Sequence, residues 1–169
     1  MFDFYRYANV FNSGDDQAMV DQFWVDDLEV LTGQSEVLAS GKESWLRFLA
    51  FAHDGMREIM RIQVLIQNGD NIFAEIDMDF HASKDRPDYP FGPVKPGDFF
   101  TVKMFCLYFL RGDKIATLKM ASWAPNVGVT DPPTRGFGPL PPIQGGIRKI
   151  FYHRFRNRFP QDKSNGLMI

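Results

Sequence analysis

Residues 58–82, EIMRIQVLIQNGDNIFAEIDMDFHA, decide the fold. On either side of Asn68-Gly69-Asp70 the apolar residues recur at every second position, the period of a strand with one dry and one wet face. An Asn-Gly pair between two such runs signals a tight turn, so the stretch reads as an antiparallel hairpin. Arg111-Gly112-Asp113 joins 99–110 to 115–123 in the same way, which gives four long strands at 58–67, 71–82, 99–110 and 115–123. Their apolar face carries Met60, Ile62, Val64 and Ile66, then Ile72, Ala74, Ile76, Met78 and Phe80, then Phe100, Val102, Met104, Cys106 and Tyr108, then Ala116, Leu118 and Met120. The alternate face carries Arg61 and Gln63, then Glu75, Asp77, Asp79 and His81, then Thr101, Lys103, Thr117 and Lys119. A sheet patterned in this way lays its apolar face under helices and turns the charged one to water or a partner subunit. The connection 83–98 is longer and holds four prolines.

Upstream the period is helical. Phe4, Tyr7 and Phe11 share one face of a helix over 1–12 that Ser13-Gly14 ends, and Asp15-Asp16 cap a second helix over 17–23. Residues 28–32 alternate like a short strand. The longest helix opens at Ser40-Gly41-Lys42-Glu43, buries Trp45, Phe48, Leu49 and Ala52, and stops at Gly55. Helices followed by an antiparallel sheet make an α+β fold. The expectation is a curved antiparallel sheet wrapped by N-terminal helices into a cone-shaped barrel with one apolar pocket. That domain spans 1–124, followed by an arm with six prolines and five glycines at 125–146 and a basic-aromatic tail to 169.

Composition narrows the function classes. No stretch has the roughly 18 to 20 apolar residues of a membrane span, and the start MFDFYRYANVF lacks the basic lead and apolar run of a signal peptide, so a cytoplasmic protein without membrane contact is expected. Cys106 is the one cysteine, which excludes an internal disulfide. Glu75, Asp77 and Asp79 succeed one another about 7 Å apart along a strand, too far to ligate one ion tightly, so no metal is expected. No G-x-G-x-x-G, P-loop or G-x-S-x-G occurs, which leaves nucleotide and α/β-hydrolase chemistry without support. Residues 147–160 hold Arg148, Lys149, Arg154, Arg156 and Arg158 with no acid, whereas the remainder is net acidic. That asymmetry argues against nucleic acid as a partner and for self-association, as a trimer or dimer, through the sheet face and the tail.

The segments FNSGDDQAMVDQFWVDDLEVL (11–31), SGKESWLRF (40–48) and LRGDKIATLKMASW (110–123), in this order of elements, resemble the nuclear transport factor 2-like, or SnoaL-like, superfamily. Its members include ketosteroid isomerase, polyketide cyclases, scytalone dehydratase and the bile-acid dehydratases. The resemblance implies a cofactor-independent lyase or isomerase, of dehydratase, cyclase or retro-aldol type, acting on a small aromatic or polycyclic molecule by general acid/base chemistry. It equally admits a non-catalytic ligand-binding or assembly module. The isomerase base falls at Thr32 and the acid of its oxyanion hole near Cys106, so that pair of acids is absent here. The dehydratase tyrosine and acid fall at Tyr7 and Asn12, and a late-strand histidine or aspartate at His81.

The candidate catalytic residues are therefore His81, with Asp79 beside it, Tyr7, Tyr108 and His53. A neutral imidazole at His81 could take a proton from a substrate and return it, provided a bulge at the strand end turns it inward. Tyr7 and Tyr108, on inward faces, could donate to a developing oxyanion. His53 ends the apolar stripe of the long helix, where a cap is the plainer reading. The candidate substrate contacts are Thr32, Phe100, Met104, Cys106 and Trp123.

Overall fold

The computed structural model describes residues 2–123. The arm and tail expected at 125–169, with the self-association assigned to them, lie outside the described residues, as does the side chain of Trp123.

Two short helices open the chain, α1 (Phe4–Ser13) and α2 (Asp16–Phe23). Each is started by an aspartate whose side chain accepts a backbone N–H of the first turn: Asp3 from Arg6 and Asp15 from Ala18, both at 2.9 Å. Because Asp15 takes the cap, the Asp16 carboxylate is left for another partner. Gly14 between the helices sits at φ 81°, a left-handed conformation that suits glycine. Along α1 the buried residues are Phe4, Tyr7, Ala8 and Phe11, the spacing of one helical face. Next come β1 (Trp24–Thr32), β2 (Val37–Ser40) and α3 (Lys42–Ala52), which buries Trp45, Phe48, Leu49 and Ala52. The remaining elements are β3 (Met56–Asn68), β4 (Asn71–Ala82), β5 (Phe99–Arg111) and β6 (Lys114–Trp123).

The six strands form one sheet in the order β2-β1-β6-β5-β4-β3. The α+β expectation stands, with two corrections of detail. The sheet is mixed, because β1 pairs parallel with β6 while every other neighbouring pair is antiparallel. A pairing between segments so far apart in sequence leaves no turn signal between them. The sheet also does not close on itself, since β2 and β3 remain as edges. The edge of β3 is partly covered by α1: the Asn12 side chain donates to the Met60 carbonyl at 3.0 Å and accepts the Met60 N–H at 2.7 Å, completing a ladder that has no next strand. Asn12, aligned above with a dehydratase acid, is thus a structural clamp.

A third correction concerns which side chains face inward. The β3–β4 register slips between Ile62 and Val64, so Leu65 opposes Ala74 and turns to the core. Val64 and Ile66 emerge on the outer face, 40% and 58% exposed. Strict alternation had put both inside; the bulge inverts the phase for the rest of the strand. Among the described residues, no helix is long and apolar enough to cross a membrane.

Candidate active site

The inner face of the sheet and the helices α1 and α3 enclose a cavity of about 90 Å³. Residues 83–98 close one side of it, held by an isolated bridge between Arg86 and Val94 that projects Tyr89, Pro90 and Phe91 into the wall. Arg86 itself is 5% exposed and uses its guanidinium on the carbonyls of Phe51 and Asp54 and on Asp88. It thereby ties this connection to the end of α3. Cut off from water, the guanidinium is matched by a carboxylate, two carbonyls and the faces of the Phe51 and Tyr89 rings.

The walls are mostly aromatic and aliphatic, and the polar groups gather at two places. The first is built by α2, α3, β3 and the 83–98 connection. His53 caps α3, donating its backbone N–H to Leu49 at 2.7 Å. Its ring Nδ1 meets Asp16 Oδ2 at 2.7 Å, and its Nε2 stands 3.8 Å from Glu58 Oε1, beyond hydrogen-bond length. The Tyr89 hydroxyl donates to the same Glu58 oxygen at 3.4 Å. Nε2 is buried and has no hydrogen-bond partner among the described residues. Burial pushes the His53 pKa down, but the carboxylates of Asp16 and Glu58 outweigh it and lift the pKa to about 10. At neutral pH the ring is an imidazolium whose Nε2–H is left without a hydrogen-bond acceptor among the described residues. Burial, reinforced by the Glu58 charge, drives Tyr89 well above the usual phenol range, so it stays a donor.

The second polar group is formed by Tyr7, Cys106 and Tyr108. The two phenol rings meet edge to face, their centroids 6.0 Å apart, with the Cys106 side chain lining the same part of the cavity. Burial raises all three pKa values, that of Cys106 to about 12, so the thiol is no nucleophile at neutral pH. These groups are neutral donors.

Of the residues proposed from sequence, the fold brings Tyr7, Tyr108, His53, Met104 and Cys106 together around this cavity. Phe100 is buried one layer behind the wall, stacked on Phe80 with centroids 4.8 Å apart. Thr32 closes a turn, its hydroxyl accepting the N–H groups of Gln34 and Glu36. His81 and Asp79 are not brought to the cavity, and the sequence placement is corrected. The bulge that His81 needed is absent: pairing runs unbroken through Arg57 and His81 on β3–β4 and through His81 and Phe99 on β4–β5. His81 is therefore exposed on the outer face against the Phe99 ring. Asp79 shares that face, gripped by Arg61 at 2.6 and 2.8 Å and by the Thr101 hydroxyl at 2.6 Å.

Glu58, Asp16 and Tyr89 were not singled out from sequence. A signal existed for Glu58, which lies two positions before Met60 and so on the inward face, where a carboxylate is out of place. Asp16 looked like a second cap, and nothing in the 83–98 connection pointed to Tyr89.

Structures with this arrangement of helices and sheet are known. A protein from Xanthomonas campestris pv. campestris, provisionally named a polyketide cyclase, superposes with a TM-score of 0.58 over 68% of this chain and 82% of its own, at 23% identity. IdmH from Streptomyces antibioticus, also provisionally a polyketide cyclase, gives 0.56 over 68% and 85%, at 19% identity. A SnoaL-like protein from Jannaschia sp. CCS1 gives 0.53 over 68% and 80%, at 16% identity. The fold of the described residues is the one that these cyclase-like and SnoaL-like structures have. No protein-family model matches the chain, and no curated protein matches it in sequence. Thr32 and Cys106, the positions that the sequence resemblance set against the isomerase's acids, carry no carboxyl group, and the carboxylate among the residues lining the cavity is that of Glu58.

Proposed function

We propose that this SnoaL-like chain is a cofactor-independent acid/base enzyme that moves a proton at carbon in a small aromatic or polycyclic carbonyl compound, in the manner of a cyclase, isomerase or dehydratase. One observation carries the reading: His53, whose ring lines an apolar cavity, holds a buried Nε2–H with no hydrogen-bond partner among the described residues, 3.8 Å from a carboxylate oxygen of Glu58.

With a carbonyl oxygen of the substrate hydrogen-bonded to His53 Nε2, the Glu58 carboxylate takes a proton from the adjacent carbon. The C–H electron pair moves into the new C=C bond and the carbonyl pair onto oxygen, where the imidazolium stabilises the enolate. Collapse of the enolate returns a proton to another carbon in an isomerisation, attacks an electrophilic carbon in a cyclisation, or expels a β-hydroxyl that leaves as water with the His53 proton. Asp16, on the far side of the ring, fixes the orientation of His53 and keeps it charged. Tyr89 steadies the Glu58 oxygen. Tyr7 and Tyr108 offer donors elsewhere in the cavity.

The test is deuterium incorporation at the α-carbons of 2-tetralone, a bicyclic aromatic ketone, followed by proton NMR in D2O. Wild type should accelerate the exchange over buffer, and Glu58→Gln and His53→Asn should each abolish most of that acceleration. If both variants match wild type, the reading is wrong. The second reading, a binding module of the same fold, is favoured by the absence of both isomerase acids at Thr32 and Cys106. It predicts tetralone binding without exchange.

A further inference from the structure

Two buried side-chain polar atoms have no hydrogen-bond partner among the described residues, and both belong to residues that line this cavity: His53 Nε2 and Trp45 Nε1. A buried donor left without an acceptor is costly, and folded proteins leave few of them. The acid/base reading accounts for His53. It gives no reason for Trp45.

Trp45 lies in the first turn of α3 and is 4% exposed. Its ring is stacked on Phe48 with centroids 5.2 Å apart and leans on Trp24 at 5.7 Å, so the indole is held in place by rings on both sides. The contrast with Trp24 is informative, because that equally buried indole spends its N–H on Met19 Sδ at 3.1 Å. A ring wanted only for packing at position 45 could have been phenylalanine, which fills space without leaving a donor stranded.

We infer that Trp45 Nε1 is a second reading point for the ligand, donating to an oxygen acceptor at the end remote from His53. The inference rests on the acid/base reading only for the assignment of the His53 end. Trp45 and His53 are eight residues apart in sequence, which at 1.5 Å per residue is about 12 Å along the helix axis. Side chains anchored that far apart on one helix meet separate ends of a ligand rather than a single group. Phe48, Leu49 and Met104 wall the space between with apolar groups. The ligand class is therefore a fused-ring compound of two or more rings, apolar in its middle, with a carbonyl at one end and a carbonyl, ether or hydroxyl oxygen at the other.

Two ketones separate the ends. 6-Methoxy-2-tetralone carries an ether oxygen across the ring system from its carbonyl, and 2-tetralone lacks it. Isothermal titration calorimetry on wild type should show the methoxy compound binding about five- to tenfold more tightly, the worth of one neutral hydrogen bond. In Trp45→Phe, which keeps the ring, that preference should vanish while the affinity for 2-tetralone changes by less than about twofold. Retained preference in Trp45→Phe overturns the inference. So does an equal loss for both ketones, which would make Trp45 a packing residue, and so does failure of both to bind wild type at millimolar concentration. Binding is read without turnover, so absent deuterium exchange alongside an intact Trp45-dependent preference would remove the enzyme reading and leave this one standing.

Discussion

The sheet carries a cluster of ionisable groups on each face, and the two differ in how completely their bonds are used. On the outer face Arg61 grips Asp79 through two nitrogens, Thr101 adds a third contact, and Lys103 reaches both Glu75 at 2.6 Å and Asp77 at 2.8 Å. Arg61, Asp79, Lys103, Glu75 and Asp77 each have an opposite charge beside them, the condition of a ladder that steadies a sheet. On the inner face His53 satisfies Nδ1 on Asp16 and leaves Nε2 bare, out of water and short of Glu58. Saturated charges hold a structure together; an unsatisfied donor in an apolar cavity is equipped to act on something else. Counting charges would have chosen the outer face, which holds more of them.

The largest expected effect sets one carboxylate from each face against the other. Glu58→Gln should lower the enzyme-catalysed deuterium exchange of 2-tetralone by about 10²- to 10⁴-fold, the usual worth of a positioned general base. Asp79→Asn should leave that rate within about twofold. A reversed order would move the chemistry to the outer face and undo the comparison.

The next effect is on pH. The folded pKa of His53 is lifted to about 10, above its ordinary value of 6.5. Its ion pairing therefore stabilises the fold fully below about pH 6.5, and the contribution is lost as pH rises through 10. The exchange rate should fall over the same upper range as the imidazolium loses its proton. Asp16→Asn removes one of the two carboxylates and should bring both declines to lower pH. An NMR titration of the His53 ring, assigned by its loss in His53→Asn, reads the shift directly, and an unchanged midpoint in Asp16→Asn would show that Asp16 does not set the charge.

A smaller effect is on stability. Asp79→Asn removes charged contacts from a residue that is 8% exposed, though Arg61 opposite is half in water. A loss of about 1–2 kcal/mol in urea unfolding is expected, at the low end for hydrogen bonds to a charged group.

Much of the architecture was legible because local chemistry and tertiary role agree. The Asn68-Gly69 and Gly112-Asp113 turns, the period-2 strands and the stripe of α3 were readable from neighbouring residues alone. What could not be read was non-local. The parallel pairing of β1 with β6 joins residues such as Val30 and Leu118, and the slip at Ile62/Val64 depends on how β3 fits its partner. The site was legible in part for the same reason. His53 and the two tyrosines carried chemistry visible in their side chains, whereas Asp16 acquires its role only because α2 packs against the end of α3, which places its carboxylate 37 residues away in sequence against the His53 ring. Glu58 was available to anyone extending the inward face of β3 by one step toward its start.

The smallest expected effect is the sharpest check on the outer face. His81 would have been the natural base by side-chain type alone, since an imidazole nitrogen can accept a proton from a substrate. Yet its neighbours across the ladder are Arg57 and Phe99, and the unbroken register on both sides leaves it pointing away from the cavity. His81→Gln keeps a polar side chain of similar reach and removes the imidazole. It should change stability by less than about 0.5 kcal/mol, as exposed substitutions do, and should leave the exchange rate and its pH profile unaltered. A drop in exchange at constant stability would mean that β4 presents His81 to the substrate in some state other than this one, and the division between a working inner face and a structural outer face would have to be abandoned.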